Sequence, residues 1–266
     1  MADPALRIDV LTLFPGLFGD FLGESILGRA IRDGLVDIRL WNLRDWAEGK
    51  HRQVDDRPFG GGPGMVLMAP PVVSAVEAVQ GIAEGPGRLI ALTPSGRPLT
   101  QAMVRILAAE RRLVLLCGRY EGFDERIFEV LEPELVSIGD YVLSGGEVAA
   151  MVVIDAVARL IPGALGDAES ALDESFGPGG GLEYPHYTRP RDYRGRAVPD
   201  ILLGGDHAAI DRWRRARAEA RTIDRRGDLI AGLARRTTTR NQTADPPLAP
   251  EGAAPPGGKD GMSDAE

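Results

Sequence analysis

Short apolar runs that alternate with helical segments constrain the fold of this chain more than any other feature. The runs have the length of strands and are rich in leucine, isoleucine and valine. They cover residues 7–13, 36–41, 88–92, 112–116 and 135–138. Strands that alternate with helices predict a parallel sheet with helices on both faces. The sequence therefore indicates an α/β fold, in which a ligand would bind at the carboxyl ends of the strands.

Helices are predicted from apolar residues that recur at helical spacing. The predicted helices cover residues 24–32, 70–80, 101–109, 125–131 and 147–160. The helix at 147–160 is apolar almost all round, which is typical of a buried helix. Beyond it, segments 198–203, 208–221 and 229–235 indicate a small helical region.

Three strand runs lead into loops that contain glycine. The loops cover residues 92–96, 117–122 and 138–146. Glycine lets the backbone bend and approach a ligand, and the amides that open the next helix are unpaired donors. Any one of these loops could be a turn without a ligand. Because the loops meet at one sheet edge, they favour a shared binding site.

A different glycine-rich stretch, residues 57–65, has four glycines and two prolines within residues 58–65. It cannot form the interior of a helix or strand. It lacks the Gly-Lys-Ser/Thr ending of a P-loop and the spacing of a dinucleotide fingerprint. The stretch therefore does not match either type of phosphate-binding loop.

Charge is distributed unevenly along the 266 residues, whose net charge is −8. Residues 189–244 contain fourteen arginines and seven acidic residues. Such segregation is a footprint of nucleic-acid binding, although a solvated basic helix face gives the same pattern. The end of the chain, from about residue 241, is rich in proline, glycine, alanine and aspartate and is expected to be disordered.

Cysteine and histidine usage limits the chemistry. Cys117 has no partner for an internal disulfide, and three histidines provide no zinc-ligand spacing. No apolar run approaches the roughly 20 residues of a membrane span. The opening Met-Ala-Asp-Pro lacks the features of a signal peptide. We expect a cytoplasmic protein with no membrane partner.

Four motifs, in order, carry a resemblance to a known family. They are RPFGGGPGM at 57–65, CGRYEG at 117–122, SIGDYVLSGGE at 137–147 and PHYTRP at 185–190. Over about residues 5–235 the chain resembles the bacterial tRNA (guanine-N1)-methyltransferases, a knotted SPOUT-type family. The resemblance implies a parallel-sheet methyltransferase domain with a deep trefoil knot formed around the second and third motifs. It also implies a small helical C-terminal domain.

The resemblance, together with the glycine-rich stretch 177–181 and the composition of the tail, suggests a division of the chain into four parts. A knotted cofactor-binding domain would cover residues 1–161, and a flexible linker or lid residues 162–188. A helical tRNA-binding domain would cover residues 189–240, and a disordered tail residues 241–266. The family works as a homodimer whose active sites combine both subunits.

The activity implied by the resemblance is transfer of a methyl group from S-adenosylmethionine to N1 of guanosine 37 in tRNA, beside the anticodon. The alternative is a non-catalytic RNA-binding module on the same fold. The implied cofactor pocket comprises Leu92, Thr93, Pro94, Gly96, Gly118, Tyr120, Ile138, Gly139, Asp140, Tyr141, Val142, Leu143, Gly145 and Gly146.

Methylation of guanine N1 requires a base to remove the N1 proton and a positive group to stabilise charge at O6. Arg159 matches the family's arginine, although an arginine at a helix C-terminus is usually only a favourable charge on the helix dipole. Counting without gaps places Glu174 at the position of the family's catalytic aspartate, with Asp173 as the second candidate. Solvated acids in a polar loop are the alternative interpretation of both.

Two further assignments follow from the resemblance and from the charge pattern. Glu121 matches a family glutamate tied to magnesium-dependent catalysis, but no set of metal ligands is assigned and Mg²⁺ remains an expectation. Arginines of the basic segment would contact tRNA phosphates, which provides affinity without reading bases. They are Arg189, Arg212, Arg214, Arg215, Arg217 and Arg221.

Overall fold

The computed structural model describes residues 4–83, 85–166, 174–177 and 180–242. The chain divides into two compact units, Met1–Gly179 and Gly180–Glu266. The disorder expected for the tail falls almost entirely on residues 243–266, which lie outside the described residues. Among the described helices, none combines the length and the apolar character that crossing a membrane requires.

The first unit is built on a five-stranded sheet. Its strands in the order of the sheet are β2, β1, β6, β5 and β7, and all four neighbouring pairs are parallel. A short antiparallel pair, β3 and β4, lies outside it. The strands of this unit are β1 (Leu6–Thr12), β2 (Val36–Asn42), β3 (Asp55–Asp56), β4 (Val66–Leu67), β5 (Arg88–Pro98), β6 (Arg112–Cys117) and β7 (Glu134–Ser137).

Helices cover both faces of this sheet, as the alternating pattern predicts. One buried apolar cluster packs α2, α4 and α6 against one face, and a second packs α3 and α5 against the other. The mixed α/β class with a parallel sheet is therefore confirmed. The helices are α1 (Gly19–Gly23), α2 (Ser25–Arg32), α3 (Ala69–Gly81), α4 (Gln101–Ala108), α5 (Arg126–Leu131) and α6 (Gly146–Ala158). Single 3-10 turns occupy Pro15–Phe18 and Leu43–Trp46.

Two expectations from the sequence are wrong in detail. The turn expected at 92–96 lies inside β5, because β5 continues pairing with β7 after a register shift between Leu92 and Arg97. The helix expected to be buried all round exposes one side of α6, where Val148 and Val152 are 52% and 41% exposed. An apolar sequence does not show which side of a helix is covered, since only the packing against the sheet decides that.

The second unit contains a small hairpin and a long helix. Strands β8 (Asp192–Tyr193) and β9 (Arg196–Ala197) pair antiparallel, and a 3-10 turn covers Asp200–Leu203. Helix α7 (His207–Gln242) then runs through the positions of both expected helices, with a non-helical break at Arg226. The buried Thr222 hydroxyl accepts a hydrogen bond from the Leu182 amide at 2.9 Å and donates to the Ala218 carbonyl at 2.7 Å.

A buried carboxylate links the strands at the centre of the first unit. Asp9 on β1 is fully buried and accepts hydrogen bonds from Arg7, Trp41 and Arg112. Arg112, which begins β6, also donates to the Val79 carbonyl near the end of α3. One carboxylate therefore connects β1, β2 and β6 and, through an arginine, a helix on the sheet face.

Replacement of Asp9 with asparagine should lower the free energy of unfolding by about 3–5 kcal/mol, because the buried Arg112 would lose its anionic partner. Urea denaturation followed by circular dichroism measures the change. The matched control is Asp37→Asn, which breaks the exposed Arg39–Asp37 ion pair and should change stability by less than about 1 kcal/mol. Equal effects of the two substitutions would contradict the structural role of Asp9.

Candidate functional site

Residues 92–94 of β5 and the loops that follow β6 and β7 form most of the wall of one cavity of about 400 Å³. This volume lies within the range of small-molecule pockets in proteins, roughly 300–1,000 Å³. Twelve of the fourteen residues expected in a cofactor pocket line it: Leu92, Thr93, Pro94, Gly118, Tyr120, Ile138, Gly139, Tyr141, Val142, Leu143, Gly145 and Gly146.

Two expected pocket residues do not line this cavity. Gly96 lies within β5, where an added Cβ atom would come 2.3 Å from the Val136 amide nitrogen, so its lack of a side chain serves strand packing. Asp140 lies in the loop that follows β7, but it does not line the cavity. The wall includes residues that the sequence did not single out for this pocket, among them Arg119, Phe123, Phe128, Ser137, Ser144 and Ala149.

Close packing between two of the loops explains several glycines. A Cβ atom on Gly146 would lie 2.8 Å from the Cys117 Cα atom and from the Gly118 amide nitrogen. The Gly146 amide donates to the Gly118 carbonyl at 2.8 Å. Gly139 has φ of +148°, which L-residues with side chains rarely adopt. These glycines therefore hold the backbones of the β6 and β7 loops together at the start of α6.

The loop that follows β6 contributes Tyr120 and Glu121 to the cavity wall. Partial burial, with the nearby Asp55 carboxylate as the next cause, raises the pKa of the Tyr120 phenol, which therefore stays protonated at neutral pH. Glu121 also lines the cavity, and its amide donates to the Met65 carbonyl at 2.9 Å. Its side chain packs so closely on Gly64 that a Cβ atom there would lie 2.1 Å from the carboxylate. The glycine-rich stretch 57–65 thus ends beside Glu121.

Metal ligands do not cluster in the described part of the chain. No group of three or more histidine, cysteine, aspartate or glutamate side chains there is placed to hold an ion.

Burial raises the pKa of the Cys117 thiol well above its ordinary value, so this cysteine is a protonated core residue.

The two leading catalytic candidates contact each other. Arg159, directly after α6, donates from both terminal nitrogens to the Glu174 carboxylate, at 2.5 and 2.6 Å. These hydrogen bonds raise the pKa of Arg159 and hold the pKa of Glu174 below its usual range. Neither residue belongs to the cavity wall. Asp173, the other candidate base, lies outside the described residues.

A second arginine contacts the segment that carries Glu174. Arg105 of α4 donates to the Phe176 carbonyl at 3.0 Å, and the Gly177 amide donates to the Glu174 carbonyl at 3.0 Å. Glu174 therefore lies on a turn whose backbone accepts a hydrogen bond from Arg105, while its own carboxylate accepts hydrogen bonds from Arg159.

The candidate RNA-binding arginines differ in their surroundings. Arg189, Arg212, Arg215 and Arg217 are exposed, and the Arg217 guanidinium lies over the Trp213 ring at 5.6 Å. Arg221 donates to the Glu183 carbonyl at 3.2 Å. Arg214 lies 4.8 Å from the centre of the Tyr184 ring and pairs with Asp211. Arg214 and Arg221 therefore also have structural contacts within their own unit.

Most of the chain matches one known family. The family model described as tRNA (Guanine-1)-methyltransferase TrmD matches residues 6–232. The chain belongs to this family. A relative in Rhodopirellula baltica named tRNA (guanine-N(1)-)-methyltransferase is 58% identical over 227 residues, 85% of this chain and 94% of the relative.

Two further relatives carry the same name. One from Thermomicrobium roseum is 55% identical over 229 residues, 86% of this chain and 85% of the relative. Another, from Stenotrophomonas maltophilia, is 51% identical over 252 residues, 91% of this chain and 100% of the relative. The tRNA (Guanine-1)-methyltransferase family match spans all the loops that line the cavity and the Arg159–Glu174 pair.

Replacing Arg159 with glutamine should raise the pKa of Glu174 toward the ordinary glutamate value, because the charged donors that favour the carboxylate are removed. An NMR titration of the carboxyl carbon of Glu174 measures the shift. The control, Arg126→Gln, removes the partner that lowers the pKa of Asp124 and should leave Glu174 unchanged. An identical Glu174 titration in the wild type and in Arg159→Gln would contradict the pairing.

The same pair has a defined effect on stability. The pKa of Glu174 is lower in the folded chain, so the contribution of the ion pair is present above the pKa of the unfolded state. It is lost as the pH falls through the folded-state pKa. The difference in unfolding free energy between the wild type and Arg159→Gln should therefore shrink in acid.

Proposed function

We propose that this chain is an enzyme that transfers a methyl group from S-adenosylmethionine to N1 of guanosine 37 in tRNA, next to the anticodon. Family membership over residues 6–232 is the observation that carries the proposal. The names of the relatives support methylation of guanine N1 in tRNA. The cavity, whose wall contains most of the expected pocket residues, supports the binding of a small cofactor.

The cavity wall suits S-adenosylmethionine. Apolar side chains such as Leu92, Ile138 and Leu143 can cover the faces of an adenine ring, while backbone groups of the glycine-containing loops can meet its polar edge. Gly118, Gly145 and Gly146 lie in this wall, where their backbones can come close to a bound cofactor. The cofactor supplies an electrophilic methyl group on a sulfonium sulfur.

The residues Glu174 and Arg159 provide the acid–base chemistry in this proposal. Glu174 accepts the N1 proton of guanine as the N1–methyl bond forms and the bond from sulfur to methyl breaks. Arg159 stabilises the negative charge that develops at O6. The two side chains hold each other in the described structure, so guanine must replace part of that contact. Asp173 is the second candidate for the base.

Glu121 is proposed as a further catalytic residue because it is part of the cavity wall, next to Tyr120 in the chain. The resemblance connects this position with Mg²⁺. Within the described residues no cluster of acids or histidines is placed around it, so we assign no ligands to a metal ion and no step to it.

We infer that tRNA binds to the basic second unit. The exposed arginines at 189, 212, 215 and 217 are suited to contact phosphates, and Arg214 and Arg221 add positive charge to the same unit. In this proposal the helical second unit is the tRNA-binding domain. Binding that depends on phosphate contacts weakens with salt, by roughly 0.7 to 0.9 decades per decade for each contact. Affinity that does not change with salt would contradict this assignment.

A knotted arrangement of the first unit is also proposed from the family resemblance. The knot would involve the chain around 117–122 and 137–147. Support comes from the close contact of these segments, which includes an isolated bridge between Arg119 and Gly145. A crystal structure with an unthreaded backbone would overturn this proposal.

The alternative of a non-catalytic RNA-binding module is not favoured. Such a module would have no use for a cavity that retains the expected pocket residues. All three relatives described above are named as methyltransferases.

A methylation assay with unmodified tRNA tests the proposal. Wild-type chain incubated with S-adenosylmethionine and tRNA that carries G37 should form N1-methylguanosine, detected by mass spectrometry of the digested tRNA. Glu174→Gln should slow transfer by about 10²-fold or more, because the base is lost. Affinity for S-adenosylhomocysteine should be retained, since Glu174 does not line the cavity.

The control for this assay is Glu129→Gln, an exposed glutamate on α5, which should methylate tRNA like the wild type. Absence of product from a folded wild-type chain would refute the proposed activity. Full activity of Glu174→Gln would move the base to Asp173 or to another residue.

A second copy of the chain is the partner proposed for the exposed side of α6. Val148 and Val152 present an apolar stripe there, and the turn Pro15–Phe18, which packs beside α6, adds the exposed Leu17. Charged substitution of a buried apolar contact should break a dimer. Val152→Asp should therefore sediment as a monomer, whereas the control Val130→Asp, exposed on α5 at the other sheet face, should match the wild type. A wild type that is monomeric would refute the homodimer.

A further inference from the structure

A buried glutamate lies directly behind the cofactor pocket and is not part of its wall. Glu147, in the first turn of α6, is 1% exposed. One carboxylate oxygen accepts a hydrogen bond from the Thr12 hydroxyl at 2.8 Å, and the other accepts from Arg119 Nε at 3.0 Å. Thr12 ends β1 and Arg119 follows β6. The carboxylate therefore connects the carboxyl ends of two neighbouring strands to the start of a helix.

Arg119 carries this connection to the pocket. It lines the cavity, and its terminal nitrogen donates to the Ser144 carbonyl at 3.2 Å. Its backbone forms a bridge with Gly145, and its guanidinium lies 4.4 Å from the centre of the Phe14 ring. Ser144 and Gly145 also belong to the cavity wall. The position of this part of the wall thus depends on where Arg119 is held.

The glycine at position 145 is needed for this contact. A Cβ atom there would lie 2.2 Å from Arg119 Nε and 2.6 Å from the Glu147 carboxylate. Gly145 has φ of 178°, an extended conformation that any residue adopts, so backbone strain does not explain the glycine. The absence of a side chain instead makes room for the ion pair.

Burial of an ion pair is a poor way to gain stability. Removing two charges from water costs several kcal/mol per ion, and apolar replacements of buried pairs are often neutral or stabilising. A buried pair does fix the relative positions of the groups that it joins, since a displaced partner leaves a charge without compensation. The arrangement around Glu147 is therefore explained better by positioning than by stability.

We propose that Glu147 is a positioning residue for the cofactor site: acting through Arg119, it holds Ser144 and Gly145 in the shape that receives the methyl donor. Thr12 fixes the carboxylate from the side of β1. Glu147 does not touch the cofactor in this arrangement. The proposal rests on the proposed function, because it assumes that the cavity binds the cofactor.

Calorimetric titration of the full-length chain with S-adenosylhomocysteine tests the proposal. Glu147→Gln keeps the size of the side chain but removes the charge opposite Arg119, and Arg119→Gln removes the other partner. Each should raise the Kd about 10-fold or more, equivalent to about 1.4 kcal/mol. The Kd of the double variant should not exceed that of the single variant with the higher Kd, because both substitutions remove the same contact.

Two further variants separate positioning from general destabilisation. Thr12→Val removes the neutral anchor of Glu147 and should raise the Kd by a smaller factor, about 2- to 5-fold. The control Glu129→Gln removes an exposed carboxylate and should bind like the wild type. Hydrogen exchange of the amides at 140–146 should accelerate in Glu147→Gln, while exchange in the central strands remains as in the wild type. A purely structural role would accelerate exchange throughout the sheet.

The outcomes distinguish this proposal from the proposed function. A folded wild-type chain that binds no S-adenosylhomocysteine would refute the cofactor site itself. Wild-type binding with a Kd unchanged in both Glu147→Gln and Arg119→Gln, or additive losses in the double variant, would overturn the positioning role. If Glu147→Gln does not fold, Arg119→Gln decides, since its side chain is 20% exposed and reaches the cavity.

Discussion

The close packing of the β6 loop on the loop that begins α6 is the constraint on which the site depends. At Gly146 there is no room for a Cβ atom between the helix start and the backbone of Cys117 and Gly118. Most of the cavity wall is formed by these same two loops together with residues 92–94 of β5. A change that separates the loops therefore alters the fold and the pocket at once, because one contact serves both.

Two buried carboxylates contact β1 at different positions, and they connect it to different parts of the first unit. Asp9 lies within the sheet and connects it to α3 through Arg112, so replacing Asp9 should lower the free energy of unfolding. Glu147 meets the end of β1 at Thr12 and connects it, through Arg119, to residues of the cavity wall. Two similar carboxylate–arginine pairs are thus expected to have different effects, one on stability and the other on cofactor binding. The difference follows from what each arginine contacts, since Arg112 reaches α3 and Arg119 reaches the cavity wall.

The strands and most helices were predictable because their signals are local. The runs at 112–116 and 36–41 match β6 and β2 to within one residue. The continuation of β5 past Leu92 was not predictable, since it depends on pairing with β7 in a shifted register. Twelve pocket residues were assigned through the family resemblance, but the network of Glu147 joins residues 28 and 135 positions apart, and no local pattern marks it.

The mutual contact of Arg159 and Glu174 has a consequence for the choice of nucleobase. Both carboxylate oxygens are occupied by the guanidinium, so a base that enters must offer each partner a replacement. Guanine does so, with an N–H for the carboxylate and a carbonyl oxygen for the arginine. At the same two positions adenine reverses this pattern, since its N1 is an acceptor and an amino group replaces O6, so in the same orientation each partner would meet a group with which it cannot pair. On the proposed function, the resting ion pair therefore favours guanine over adenine in this orientation before methyl transfer begins.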